Sequence, residues 1–381
     1  MRIKHYIELA RRMDWLLFSA MIVLAVASVL FIYSASYHGP GQPIKDFYKM
    51  QMVWFGVGLL IYLAVSLVDY RLICQWATVW YAFALGLLVL VLVAGVKVYG
   101  ARRWLGFGHF GIQPAEIAKL ATLLAISYYL FHHTRESGRQ WGAVAIALAL
   151  TAAPLVLIML EPDLGSALVL IPICFGLMFV AGVRVKHLVL AAVLGIALAG
   201  IGLPIMWKLK ENRTGGRNYQ RDRLTVFFHR DYDPTGAGWN LNQSLIAVGS
   251  GGMTGKGYLQ GTQNLLGYLP RSVSPNDFLF SVIGEEEGFI GCVVIILLYA
   301  VLLFSGLRIA ANARDRLGML LATGVVVMLF FHIFINVGMT IGLMPVTGLP
   351  LPLLSYGGSF VLASMTALGL LQNVWIHRRT Y

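Results

Sequence analysis

The chain has 381 residues, of which 58% are hydrophobic and only 12% charged, and its formal net charge is +12. A soluble domain carries about 25% charged residues, so a soluble globular protein is excluded: its apolar runs would have nowhere to be buried. The positive balance fits loop charge on the cytoplasmic side of a membrane protein better than a nucleic-acid surface.

Ten apolar spans are predicted, roughly 15–36, 50–68, 76–98, 114–131, 141–160, 166–183, 188–207, 277–306, 317–341 and 358–376. They lack the short polar/apolar alternation of a barrel, and only helices or closed barrels satisfy backbone groups in lipid. The expected fold is an all-α polytopic membrane protein of about ten transmembrane helices. One large extracytoplasmic loop, about 208–276, separates helices 7 and 8, and residues 1–381 form a single membrane domain. Arg11-Arg12 before the first apolar run resembles a signal peptide start, but the run is too long for one, so a retained first helix is expected. With the N-terminus inside, fourteen basic residues, from Arg2 to Arg379, lie on inner segments. Five (Lys45, Lys49, Lys97, Arg102 and Arg103) lie on short outer loops, so both termini are expected in the cytoplasm. Cys74, Cys174 and Cys292 show neither metal-ligand spacing nor a disulfide framework.

Charge at membrane depth is costly and usually functional, so the exceptions are informative. The first is Arg102-Arg103-Trp104, followed by Gln113-Pro114-Ala115-Glu116 and Lys119. Pro114 suits a first helical turn, and Glu116 and Lys119 share a helix face. The arginines either grip lipid phosphates or bind a phosphate-bearing ligand. The second is Glu161-Pro162-Asp163-Leu164-Gly165, in which Asp163 either caps the next helix or faces the same outer cavity. The third is the basic run Lys208, Lys210, Arg213, Arg217, Arg221 and Arg223. Residues 221–228 read as an amphipathic segment, and Trp239 to Gly252 reads as a short helix stopped by glycines. Gly251 to Gly257 resembles a phosphate loop superficially, but the spacing is wrong and no strand precedes it. Lys256 faces an anion in this reading. The fourth is Asp277, at the mouth of span eight, with Glu285, Glu286 and Glu287 about 12 Å deeper along one helix. The fifth is the Pro/Gly-rich apolar segment from Asn336 to Ser359, which breaks helices and must line a cavity or be covered by protein.

Taken together these motifs resemble the SEDS family of shape, elongation, division and sporulation proteins, of the RodA and FtsW type. The matching residues are Arg102-Arg103-Trp104; Gln113-Pro114, Glu116 and Lys119; Glu161 to Gly165; Gln243-Ser244, Gly249 to Gly252 and Gly255 to Gly257; Leu269-Pro270; Asp277-Phe278; Gly284 to Glu286 with Gly288; and Pro345 to Ser359. They run in the family's order, and the chain's lack of an appended tail looks more like the RodA branch. The lead-in Arg271 to Asn276 departs from the family's usual pattern, in which a Glu follows Leu-Pro and a His-Thr precedes the Asp.

The resemblance implies a peptidoglycan glycosyltransferase of the bacterial inner membrane. It would polymerise lipid II at the extracytoplasmic face during cell elongation. Its expected partners are a class B penicillin-binding protein and other elongation-complex proteins. Asp277 matches the family's catalytic acid and is the expected general base. Arg102, Arg103, Lys119 and Lys256 are expected phosphate contacts, and Gln243 and Ser244 lie in the motifs expected to bind substrate. Glu116, Asp163, Glu285, Glu286 and Ser355 are expected in supporting roles. A divalent cation, magnesium or manganese, is compatible with this chemistry. The competing readings are a lipid II flippase or secondary transporter, and a scaffold that only activates its penicillin-binding partner.

Overall fold

The computed structural model describes residues 12–37, 39, 46–98, 101–107, 110–133, 140–214, 219–229, 232–233, 236–269 and 273–378. Pro270, Arg271 and Ser272 of the unusual lead-in lie outside the described residues. So do the basic residues Arg2, Lys4, Arg11, Lys45, Arg135, Arg139, Arg217 and Arg379.

In chain order the helices begin with α1 (Trp15–Ser36), α2 (Phe47–Leu67), a short α3 (Tyr70–Gln75) and α4 (Ala77–Ala94). Strands β1 (Val96–Val98), β2 (Ala101–Phe107) and β3 (Phe110–Ile112) follow. Then come α5 (Pro114–His133), α6 (Gln140–Leu160), α7 (Leu164–Val180) and α8 (Val185–Thr214). The long loop holds α9 (Tyr219–Phe228), α10 (Ala237–Ser250) and α11 (Thr262–Leu265). The chain ends with α12 (Leu279–Glu286), α13 (Gly288–Ala311), α14 (Arg316–Thr340) and α15 (Gly358–His377).

Eight of these helices are long and apolar enough to cross a membrane: α1, α2, α4, α6, α8, α13, α14 and α15. This is a multi-pass membrane protein. The other two expected spans coincide with α5, which carries Glu116 and Lys119, and with α7, which is apolar but shorter.

Acidic residues near the spans serve as caps. Asp14 accepts from Leu17 N at 3.0 Å and pairs with Arg308; Asp315 accepts from Gly318 N at 2.8 Å. Each satisfies an N–H that a helix start leaves without a partner. Helix α15 packs along α2, where Gly58 faces Met365 and Gly369 faces the Tyr62 main chain; small residues let apolar helices approach closely. Asn373 on α15 donates to Val65 O and Val68 O, closing the C-terminal end of α2.

Three features depart from expectation. The stretch expected as one span, 277–306, is two helices meeting at Glu287–Gly288, where Gly288 adopts φ +64°. Only glycine takes that conformation freely. The break is held from outside. Lys256 N donates to Glu285 O at 3.0 Å and Gly257 N to Glu286 O at 2.9 Å. Phe289 N donates to Gly252 O at 2.9 Å and Ile290 N to Met253 O at 3.1 Å. These four bonds satisfy carbonyls that end α12 and N–H groups that begin α13. Glu285 and Glu286 therefore stand at a clasped helix junction, not deep within a span.

The glycine-rich loop is thus a main-chain clasp. A Cβ on Gly251 would lie 1.9 Å from Gly284 O, and one on Gly255 2.0 Å from Glu286 O. Gly251→Ala is expected to cost about 1–3 kcal/mol through overpacking, read as a lowered melting temperature in detergent. An unchanged melting temperature would show that the contact yields freely.

Second, α8 runs to Thr214, past the expected start of the loop at 208, and the short helix expected from Trp239 to Gly252 begins two residues earlier, as α10 from Ala237. Third, Arg102 and Arg103 lie on a strand of a small antiparallel sheet ordered β1-β2-β3, pairing Val96 with Trp104 and Leu105 with Ile112. Successive strand residues point to opposite faces, which gives the two arginines different tasks.

Candidate active site

Asp277 sits in the turn just before α12. Its N–H donates to Val273 O at 2.9 Å, and the same turn accepts from Tyr356 N at Pro275 O, 2.9 Å. Its own carbonyl accepts from Asn336 Nδ2 at 2.9 Å, and that nitrogen also donates to Leu349 O at 2.6 Å. One buried amide from α14 thus holds the Asp277 turn against the Pro/Gly-rich segment. Gly348, at φ +74°, makes the closest approach: a Cβ there would stand 3.1 Å from Asp277 Oδ2 and 3.1 Å from Arg223 Nη1.

Arg223 reaches this point from α9. It is buried, and its guanidinium also donates to Thr347 O. Arg103 approaches from β2, donating Nε to Glu161 O at 3.1 Å and Nη2 to Pro162 O. Asp163 caps α7, accepting from Ser166 N at 3.1 Å and Ser166 Oγ at 3.0 Å, and Gln113 Nε2 donates to it at 2.9 Å. Asp277 is half-buried as a residue, and enclosure of its carboxyl by protein pushes it up to about 6. Arg223 and Arg103 oppose that rise and Asp163 adds to it. The site therefore gathers a carboxylate poised near neutrality, two guanidiniums and a second carboxylate.

The other expected residues lie elsewhere. Arg102 donates to Leu92 O at 3.1 Å and Val93 O at 2.8 Å, closing the end of α4. Lys119 is fully buried, bonded to Glu116 at 2.8 Å and His332 Nε2 at 2.9 Å. Lys256 pairs with Glu285 at 2.6 Å; Glu286 accepts from Ser34. Gln243 and Ser244 are buried on α10, where Ser244 bonds Ser281 Oγ and Thr340 O, each at 2.7 Å. The Ser355 hydroxyl accepts from Leu351 N at 2.8 Å within its own loop.

The FtsW, RodA and SpoVE family of cell cycle proteins matches residues 14–380. The chain belongs to that family, the SEDS proteins. It is 34% identical to the peptidoglycan glycosyltransferase RodA of Treponema pallidum, over 95% of this chain and 97% of that protein. It is 35% identical to the peptidoglycan glycosyltransferase MrdB of Escherichia coli, over 94% and 92%. Its fold is similar to a chain solved in work described as "Structural coordination of polymerization and crosslinking by a peptidoglycan synthase complex" (TM-score 0.78, 30% identity, 97% of this chain and 99% of that one). It is also similar to the crystal structure of RodA from Thermus thermophilus (TM-score 0.70, 30% identity, 97% and 98%).

In this SEDS chain, sequence reasoning noted Arg223 only as one of six bases in a run. What singles it out is its burial and its reach to Thr347, contacts that no local pattern encodes. Among the described residues no three His, Cys, Asp or Glu side chains gather to hold a metal. A cavity of about 520 Å³ opens between α2, α4, α5 and α15, lined by Val65, Trp80, Ile117, Leu124 and Leu362 among others, with Ser359 also in its wall. The Ser359 hydroxyl accepts from Gln113 N at 3.1 Å, and the Gln113 side chain bonds Asp163. One wall residue of the cavity is thus linked through Gln113 to Asp163, while Asp277, Arg223 and Arg103 are not among its lining residues.

Proposed function

We propose that this chain is a peptidoglycan glycosyltransferase that polymerises lipid II, with its site at Asp277 on the extracytoplasmic face of the bacterial inner membrane and both termini in the cytoplasm. The observation that carries this reading is the convergence of Asp277, Arg223 and Arg103, with an apolar cavity linked to the same site through Ser359, Gln113 and Asp163. An acidic base, cations for a pyrophosphate and an apolar slot for a prenyl chain match the three parts of such a substrate.

Asp277 takes the proton from the acceptor sugar hydroxyl as its oxygen attacks the anomeric carbon of the donor. The bond from that carbon to the pyrophosphate oxygen breaks, and the lipid pyrophosphate leaves with the electron pair. Arg103 and Arg223 stabilise the charge that develops there; guanidinium matches phosphate bidentately. Asp163 orients Gln113, and Asn336 holds the turn that carries the base. Arg102, Lys119 and Lys256 support the scaffold in this reading. The product strand passes to a class B penicillin-binding protein for crosslinking, a pairing supported by the structural likeness to a synthase complex.

Incubation of the purified chain with lipid II, followed by gel separation of glycan products, tests this. Polymer ladders are expected. Lipid translocation in proteoliposomes without any glycan product would replace this reading with a transporter.

A further inference from the structure

Glu161 lies in the turn between α6 and α7 and is 1% exposed. Neither of its carboxyl oxygens has a hydrogen-bond partner. The nearby cation does not serve it: Arg103 directs Nε to the Glu161 main-chain oxygen and Nη2 to that of Pro162. Burying an ionised carboxylate without hydrogen bonds is costly, whereas the neutral acid is tolerated.

We propose that Glu161 is a positioning residue that works as the neutral acid, and that its ionisation draws Arg103 off the turn and disables the Asp277 site. This rests on the glycosyltransferase reading above. While the carboxyl is neutral, the two turn carbonyls are the best acceptors for the guanidinium, and the bonds stitch β2 to the α6–α7 turn. The next residues of that turn present Asp163 as the cap of α7 and as the acceptor for Gln113. When Glu161 loses its proton to solvent, its carboxylate becomes the strongest acceptor beside Arg103. Charge-assisted bonds are roughly twice as strong as neutral ones. Arg103 then exchanges carbonyls for carboxylate and the turn is released. Arg103 and Asp163, both of which act on Asp277, move together. The charged groups acting on Glu161 are Asp163, at the start of α7, and Arg103, from β2. Burial is the largest influence and pushes the carboxyl up to about 8, with Asp163 adding to the rise and Arg103 opposing it.

The test is the rate of lipid II polymerisation by the full chain as a function of pH, for wild type, Glu161→Gln and Glu161→Asp, with thermal melting of each. Wild type is expected to lose activity as pH rises through about 8. Glu161→Gln, which mimics the neutral acid, is expected to match wild type near pH 7 and to be about tenfold more active than it at pH 9. Glu161→Asp keeps a titratable carboxyl and is expected to retain an alkaline fall at a reduced rate. The inference is overturned if folded Glu161→Gln is inactive throughout, if it keeps the wild-type alkaline fall, or if Glu161→Asp loses that fall. A wild-type profile flat to about pH 9 overturns it without any variant. Wild type that forms no glycan at any pH overturns the functional reading, and this inference with it.

Discussion

Asp277→Asn is expected to slow glycan formation from lipid II by on the order of 10²- to 10⁴-fold, the usual contribution of a positioned general base. The fold should survive, because the hydrogen bonds that hold the turn run through the main-chain N–H and carbonyl of this residue. Asparagine preserves both and nearly preserves the side-chain shape. The carboxyl is raised to about 6 by enclosure, with Arg223 and Arg103 limiting the rise. A base acts ionised, so the wild-type rate falls about tenfold per unit below that value and is full from there up to about 8, where the alkaline limb of Glu161 begins. The residual rate of the asparagine variant has no such acid limb. Gel assays across pH, alongside thermal melts, read both effects. An asparagine variant that polymerises at the wild-type rate would move the role of base to another residue.

Lys119→Met is expected to cost about 3–5 kcal/mol of stability, the loss typical when one member of a buried ion pair is removed. The side chains of Lys119 and Glu116 are 1% and 4% exposed, and the ammonium also contacts His332 and faces the ring of Phe360. Without it Glu116 is left as an uncompensated carboxylate inside the bundle. The double variant Glu116→Gln with Lys119→Met removes both charges and should recover much of the loss. Equilibrium unfolding in detergent measures the three proteins. Equal stability of the single and double variants would show that the pair contributes nothing that depends on both charges.

The membrane fold was legible because its signal is repeated and local. Uncharged runs long enough to span recur along the chain, and Asp163, read either as a cap or as a cavity residue, caps α7. The catalytic candidate was legible through its motif and its place at the end of the polar loop. The cations were only half legible. Arg102 and Arg103 are adjacent in the chain, yet strand geometry sends one to the end of α4 and the other to the α6–α7 turn. Lys256 was expected to face an anion, a phosphate of the substrate, but the anion beside it is the Glu285 carboxylate, distant in the chain. Arg223 could not be told from its basic neighbours, since its distinguishing contact is with Thr347. The break at Glu287–Gly288 was hidden for the same reason: the three glutamates read as charges within one span, and what ends α12 there is a loop about thirty residues earlier.

That junction has a mechanical consequence. A glycine between two helices ordinarily acts as a hinge and absorbs motion. Here main-chain bonds from residues 252–257 span it on both sides, so it is a welded joint. Helix α12, only eight residues long, is then a stiff lever between α13 and the turn carrying Asp277. A tilt imposed on α13 is then expected to reach the turn that carries Asp277 and not to be dissipated at the bend.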